Sequence, residues 1–469
     1  MTSDNQYPFN YYRPVFGDLS RINQHQLLDK LCDEISQHLP GCLETYDLLS
    51  YGYSQAKQFV KSVTWGERAL ISCQDEPSRT AVRFNLSKCL MAANYPEMAL
   101  KHLAENLQLN PSDSDNIIDY AVALYATNQK DQAEQILRDL QSQQSFSDPK
   151  TQAVINFNLG VHDMRHGRFR QGMKKLSTGR SIKIWGSPAH GYPIPEWCGQ
   201  AAQGKKLLVI GEGGAGDEII NVRFIKQLRD QGFTVDWASA HGLASVFGRL
   251  PFLATQNYKN LTNDIANIRD YDYWTPAMTL PVYLDLDKQD LWSGAYITAD
   301  PDYVAKWHPV IKISNRPSIG VRWGGNPLYD HDLHRGLPVP ELWNAIQDIP
   351  ADFFSLQRDD NADEIHHCQG KMTDLSQDLA TWEDTVAVID SLDVVITSCT
   401  SVAHIAAAMN KRTIVLVPIV SYYVWAEETT ASYWYSDRVT VLRQLRPRDW
   451  SEPLQQLRAI LQTEFGQPI

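Results

Sequence analysis

Three short stretches of this chain hold residues whose types and order could do chemistry. The richest, residues 394–418, reads VVITSCTSVAHIAAAMNKRTIVLVP. An apolar run stops at Thr397, Ser398, Cys399, Thr400 and Ser401 follow, and small residues then continue at helical spacing. Hydroxyls and free amides at a helix start form an anion site, because unpaired N–H groups and the helix dipole point at the ligand. Ala403, Ala406, Ala407 and Ala408 would let that helix sit close on a sheet, with His404 one turn in, on the cleft side if Thr400 faces a ligand. The competing reading is that Thr400 and Ser401 only cap the helix and that His404 is a buried hydrogen bonder. Cys399 at a helix start could act as a nucleophile, but the sequence offers it no identifiable base.

The second stretch, residues 211–220, reads GEGGAGDEII. Four glycines in six residues let a backbone turn sharply and approach a ligand; no dinucleotide fingerprint is assigned to this loop. Asp217 stands at an expected helix start, so it either caps free amides or offers a carboxylate to a bound molecule. The third stretch, residues 320–335, reads GVRWGGNPLYDHDLHR. An apolar start ends in Trp323, Gly324, Gly325 and Asn326, followed by a polar loop with Asp330, His331, Asp332, His334 and Arg335. The planar guanidinium of Arg335 suits phosphate. His331 and His334 lie too close together on a loop to favour a metal, and none is expected. A solvated loop is the plain alternative.

Positioning these stretches calls for alternating strands and helices. Residues 206–211 (KLLVIG), 233–239, 318–323 (SIGVRW), 352–357 (DFFSLQ), 393–397 (DVVIT) and 413–417 (TIVLV) read as strands. Helices are expected around 219–231, 340–348, 381–392 and 401–409. Such alternation means parallel sheets with crossover helices, and two such units would bind a ligand at the carboxyl ends of their strands. Residues 184–204 hold Trp185, Pro188, Pro193, Pro195 and Trp197 and read as an ordered connector.

Upstream the pattern is helical and periodic. Ala99, Ala133 and Gly172 recur in the matched contexts NYPEMAL, NQKDQAE and GRFRQGM, at steps of 34 and 39 residues. Ten positions before them lie Cys89, Ala123 and His162, and thirteen before lie Leu86, Tyr120 and Leu159. The pattern implies pairs of packed helices, with small residues where two backbones approach. Pro77 and Pro111, 34 residues apart, and Pro149, 38 further on, are expected to close second helices. An irregular helical bundle is the alternative.

At 469 residues the chain exceeds one compact core. The expected domains are an N-terminal helical segment (1–44), helical repeats (45–186) and two α/β lobes (187–312 and 313–469). A formal charge of −12 argues against nucleic acid or an anionic membrane as partner. The seven cysteines lack CxxC or zinc-like spacing, as suits a reducing compartment. With neither a signal-peptide pattern nor a spanning apolar run, the cytoplasm is the expected location.

Together these stretches resemble the bacterial tetratricopeptide-repeat proteins whose C-terminal region is similar to lipopolysaccharide heptosyltransferases. The likeness runs from about Pro195 (PEWCGQAAQGKKLLVIGEGGAGDEIINVRFI) to about Trp450, through LPVYL at 280–284, SLQ at 355–357, DTVAVIDSLDVVIT at 384–397 and WYSDRVTVLRQ at 434–444. O-linked N-acetylglucosamine transferases are more distant relatives with the same plan. The resemblance implies α+α/β architecture, with tetratricopeptide-like repeats before a GT-B arrangement of two Rossmann-like lobes. It also implies metal-independent transfer of a hexosyl or heptosyl group from a nucleotide sugar to a glycan or protein, with no resident cofactor. Asp217, in Gly216-Asp217, takes the place of the family's proposed base. Ser398, Cys399, Thr400, Ser401 and His404 take that of the donor-pyrophosphate motif, with Arg335 beside them. Gly214, Gly216, Trp323, Asn326, Leu356 and Gln357 are expected to line the cleft and the nucleotide. Cys399 stands where the family usually has Asp, which removes a charge from the donor site. The repeats are expected to recruit the acceptor or a protein partner. The alternatives are a non-catalytic repeat scaffold with a degenerate nucleotide-binding part and, last, a sugar-nucleotide epimerase.

Overall fold

The computed structural model describes residues 7–143, 148–186, 191–201, 203–250, 259–260, 265–326, 332–358 and 361–466. Pro188, Asp330 and His331 lie outside the described residues. The chain divides into two units. One comprises Met1–Ser145, Pro327–His334 and Arg446–Arg448, and the other Phe146–Asn326, Arg335–Leu445 and Asp449–Ile469.

The first unit is built from helices α1 (Tyr7–Arg21), α2 (His25–His38), α3 (Leu43–Gln55), α4 (Phe59–Ser72), α5 (Glu76–Ala92), α6 (Pro96–Leu109), α7 (Ser114–Ala126) and α8 (Lys130–Gln143). Consecutive helices pair across tight turns, each of which holds one residue in the left-handed region: Asn23, Lys57, Asn94 and Asn128. Asparagine tolerates that region better than most residues, which explains three of the four. The turns recur at steps of 34, 37 and 34 residues, so the periodicity reaches back to α1 and α2. Aspartates 75 and 113 cap α5 and α7 through their carboxylates. Residues 332–334 and 446–448 seat on the α5–α6 turn. There Asn94 Nδ2 donates to the Leu333 carbonyl at 3.2 Å, and His334 Nε2 is hydrogen-bonded to the Met91 carbonyl at 3.0 Å.

The closest approach within a helix pair lies twelve residues before each small residue of the second helix, not ten. Ser50 faces Ser62 and Ser87 faces Ala99, all buried, and the equivalent Ala121 and Ala133 are buried too. Ser50 Oγ donates to the Ser62 carbonyl at 3.0 Å, and Ser62 Oγ returns the bond to the Ser50 carbonyl at 2.8 Å. This register explains why Cys89, two positions away from the crossing, fits without strain. Of the prolines, Pro111 directly follows the end of α6, as expected, whereas Pro77 and Pro149 open helices and close none. A proline in the first turn loses nothing, because that N–H has no intrahelical partner.

The second unit begins with one more helix pair, α9 (Pro149–Arg165) and α10 (Phe169–Leu176), turning at Gly167. Here Gly160 faces Gly172; a Cβ on Gly160 would lie 2.8 Å from the Leu176 nitrogen and 3.1 Å from the Gly172 carbonyl oxygen. Two parallel sheets follow. The first has the order β3-β2-β1-β4, from β1 (Lys206–Ile210), β2 (Thr234–Ser239), β3 (Lys259–Asn260) and β4 (Tyr273–Pro276). The second has the order β10-β9-β8-β5-β6-β7, from β5 (Ser318–Arg322), β6 (Asp352–Ser355), β7 (Met372–Asp374), β8 (Val394–Ser398), β9 (Arg412–Val417) and β10 (Val439–Arg443). All pairings between strands are parallel. β8 is buried at every position, and its unbroken apolar run reflects cover on both faces. Strand order reverses between β1 and β4 and between β5 and β8, where a doubly wound sheet opens a crevice at its carboxyl edge. Repeats leading into two parallel α/β sheets are the architecture expected from the sequence. Among the described residues no helix is long and apolar enough to cross a membrane.

Candidate active site

The turn after β1 and the turn after β8 meet. Each leads straight into a short helix, Ala215–Asn221 and Ser401–Ala408. The two helix starts approach so closely that a Cβ on Gly216 would lie 3.1 Å from Cδ2 of His404 and 3.6 Å from Cα of Ser401. Gly216 is therefore needed for its small size. Gly213, at φ 71°, is needed for its conformation. Gly213 and Gly214 are exposed, whereas Ala215, Gly216, Asp217 and Ser401 are partly so, which leaves this meeting point reachable from solvent.

Asp217 uses both carboxylate oxygens. Oδ2 accepts from the Gly214 amide at 2.8 Å, and Oδ1 accepts from the Tyr422 hydroxyl. Burial raises its pKa above the usual carboxylate range, against the Tyr422 and Gly214 donors, which favour the ionised form. The capping reading of Asp217 is thus present in its geometry, since the carboxylate ties down the turn at the start of its own helix. Contrary to the expectation of no dinucleotide fingerprint, Gly211, Gly213 and Gly216 do stand at the G-x-G-x-x-G spacing of dinucleotide loops. The Asp217 carboxylate lies against Gly213 inside that turn, where a pyrophosphate would meet its negative charge.

At the other start, Ser398, Cys399 and Thr400 are buried. Thr400 is the N-cap of the Ser401 helix, but its side chain caps no amide; its hydroxyl is hydrogen-bonded to that of Thr397 at 3.2 Å. Burial pushes the Cys399 thiol up, with the Arg335 cation and the Tyr422 amide working the other way. A thiol kept neutral by burial is a poor nucleophile. His404 is 3% exposed, stacked on Trp425 at 5.1 Å, and its Nδ1 is hydrogen-bonded to the Tyr435 hydroxyl at 2.9 Å. Burial and the nearby Arg223 cation lower its pKa to about 3, so the ring is neutral.

Arg335 joins this group: Nη1 donates to the Cys399 carbonyl at 3.1 Å, and the guanidinium lies against Gly325. Asn326 is exposed at the end of the same turn. The side chains of Trp323 and Leu356, expected to line a cleft, are 1% exposed and pack in the core instead. Each follows a strand directly and continues its inward-facing row. Gln357 is wholly buried; its Oε1 accepts from the amides of Trp323 and Gly324 at 3.2 and 2.9 Å and so fixes the turn after β5.

Several functional neighbours escape sequence reasoning. Glu212 is buried and receives both Nη groups of Arg180 at 2.6 and 2.9 Å, as well as the Met278 amide at 3.2 Å. Glu218, fully buried, accepts from the Ala240 amide at 2.9 Å. Residues 421–435 cross the meeting point as a strap carrying Tyr422, Tyr423, Trp425, Tyr433, Trp434 and Tyr435. Arg223, completely buried, donates to the Trp434 carbonyl and, at 2.8 Å, to the Tyr296 hydroxyl. The one sequence signal for the strap was its density of aromatic residues.

The sequence profile of the family described as Tetratricopeptide repeat matches residues 90–154. Protein FlbA of Caulobacter vibrioides (strain ATCC 19089 / CIP 103742 / CB 15) is 24% identical over 454 residues, covering 90% of this chain and 74% of that protein. Among solved structures, a mutant Thermobaculum terrenum O-GlcNAc transferase is similar over 99% of this chain and 93% of its own, at 13% identity and a TM-score of 0.41. E. coli ADP-heptose lps heptosyltransferase II is similar over 55% of this chain and 99% of its own, at 16% identity and a TM-score of 0.40.

Proposed function

We propose that the α/β unit is a glycosyltransferase that moves a sugar from a nucleotide-sugar donor to a glycan or protein hydroxyl. The carrying observation is the meeting of the two helix starts, an acid on one and an uncapped, hydroxyl-rich turn on the other. The donor diphosphate would sit on the amides and hydroxyls of Thr400 and Ser401, with Arg335 alongside; charge stabilised where it develops is usually the largest electrostatic contribution. Asp217 would take the acceptor's proton as the acceptor oxygen bonds to the anomeric carbon. The anomeric carbon–oxygen bond breaks, and its electron pair leaves with the diphosphate. A carboxylate whose pKa burial has raised suits a base working near neutral pH. In this reading Ser398, Cys399 and His404 shape the diphosphate turn, Gly214 and Gly216 keep the acid's loop tight, and Gln357 holds the loop reaching Asn326. No metal or resident cofactor takes part, the repeats recruit the acceptor or a protein partner, and the enzyme works in the cytoplasm.

A second reading, a non-catalytic scaffold, draws on the neutral Cys399 and on the two hydrogen bonds that occupy Asp217. A thermal-shift screen of nucleoside diphosphates, followed by donor turnover, separates the two. A ligand that binds only the folded chain raises its melting temperature by mass action. With a donor that turns over, Asp217→Asn should lose about 10²–10⁴-fold in rate while nucleotide affinity holds. Full rate in that variant would remove the base assignment; no shift with any nucleotide would favour the scaffold.

A further inference from the structure

The Tyr422 hydroxyl donates to Oδ1 of Asp217, the oxygen that the Gly214 amide leaves for another partner. A phenol and a sugar or serine hydroxyl present the same O–H donor, so the chain supplies its own stand-in for the acceptor. Tyr422 is also not alone. Its ring lies 4.5 Å from that of Tyr423, Tyr423 lies 4.9 Å from Trp185, and Trp185 meets Phe157 of α9 edge to face at 6.2 Å. The strap that carries both tyrosines is pinned to the same helix pair a second time, where Arg165 Nη1 donates to Glu428 at 3.5 Å and Phe169 packs 5.3 Å from Trp434. Packed aromatic chains of this kind hold discrete arrangements and do not deform continuously.

We propose that Tyr422 is a positioning residue that acts as an internal ligand of Asp217. An acceptor hydroxyl must displace it, and the stack through Tyr423 and Trp185 to Phe157 makes that displacement depend on the last helix pair. The inference rests on the transferase reading for its meaning, but its test does not require turnover.

The test is carbodiimide-plus-amine labelling of the full-length protein, with each carboxylate followed by peptide mass spectrometry. Tyr422→Phe should raise the labelling rate of Asp217 about tenfold, as expected when one charge-assisted hydrogen bond is removed. Trp185→Leu and the milder Phe157→Leu should raise it in the same direction although neither residue touches Asp217, and Trp185→Phe should restore protection. Glu218, one residue on and fully buried, serves as the control and should stay unlabelled. Unchanged labelling of Asp217 in Tyr422→Phe, or an equal gain at Glu218, overturns the proposal. An Asp217→Asn variant that keeps full donor turnover would instead sink the assignment of Asp217 as the base while leaving the labelling result intact; no turnover with any nucleotide sugar would count against the transferase reading and not against the labelling.

Discussion

The two helix starts that meet in the α/β unit follow the same kind of strand end, yet they satisfy their first amides differently. At Ala215 the chain uses acids. Asp217 ties back to the Gly214 amide, Glu212 pairs with Arg180, and Glu218 holds the Ala240 amide. At Ser401 its own turn uses none: Ser398, Cys399 and Thr400 carry no acid, Thr400 caps nothing, and the Arg335 guanidinium donates to the Cys399 carbonyl. One start is filled by its own negative charge, and the other leaves amides for an anion from outside. In the proposed mechanism, the division of labour between proton acceptor and diphosphate holder would come from this contrast in capping.

The largest way to break the contrast is to remove the charge that balances the acidic side. Arg180→Met leaves Glu212 buried without its partner, which should cost about 3–5 kcal/mol. Urea unfolding of the full chain followed by tryptophan fluorescence reads this, and Arg180→Met with Glu212→Met should recover a large part. A loss below about 1 kcal/mol, the range of an exposed ion pair, would mean that the pair does not brace the loop.

The neutral side has its own acid sensitivity. An unfolded His404 takes up a proton below its ordinary value of 6.5, whereas the folded ring resists until about 3. Between those values the unfolded state binds more protons. Stability contributed by the neutral ring is therefore present above pH 6.5 and lost as pH falls through that window, at about 1.4 kcal/mol per pH unit. His404→Gln has no such proton to take up. Its deficit against the parent chain at pH 7 should shrink steadily on acidification. A deficit that stays constant down to pH 4 would show that His404 is not held neutral.

Much of this arrangement was legible in the chain itself, and the losses have identifiable causes. Strands such as 394–398 and 412–417 stand out because burial on both faces demands an unbroken apolar run, and each expected helix fell within a few residues of its place. β4 and β7 escaped notice because YWTP and MTD are too short to show a pattern. Pro301–Ile311 escaped because it carries Pro309 near its end. In the site, the acid and the hydroxyl turn could be read because strand ends announce them. Tyr422 could not, since nothing local ties a tyrosine in a loop to an aspartate 205 positions earlier. Trp323 and Leu356, expected in the cleft, lie in the core for a related reason: a residue just past a strand can continue the core row as easily as it can turn outward.

The smallest change sharpens the comparison most, because it turns one helix start into a neutral copy of the other. Thr400→Asn places a strong capping side chain where the present one caps nothing. The added cap should stabilise the Ser401 helix by about 0.5–1 kcal/mol, less what is lost with the Thr397 hydrogen bond. It would also occupy amides that the diphosphate is proposed to use. Denaturation and nucleoside-diphosphate titration on the same variant should then move in opposite directions, stability up and affinity down. A charged substitution would confound this result through repulsion, whereas asparagine changes only who accepts the amides. If stability rises and affinity does not fall, the amides of the Ser401 helix are not the anion site, and the contrast between the two starts is one of packing alone.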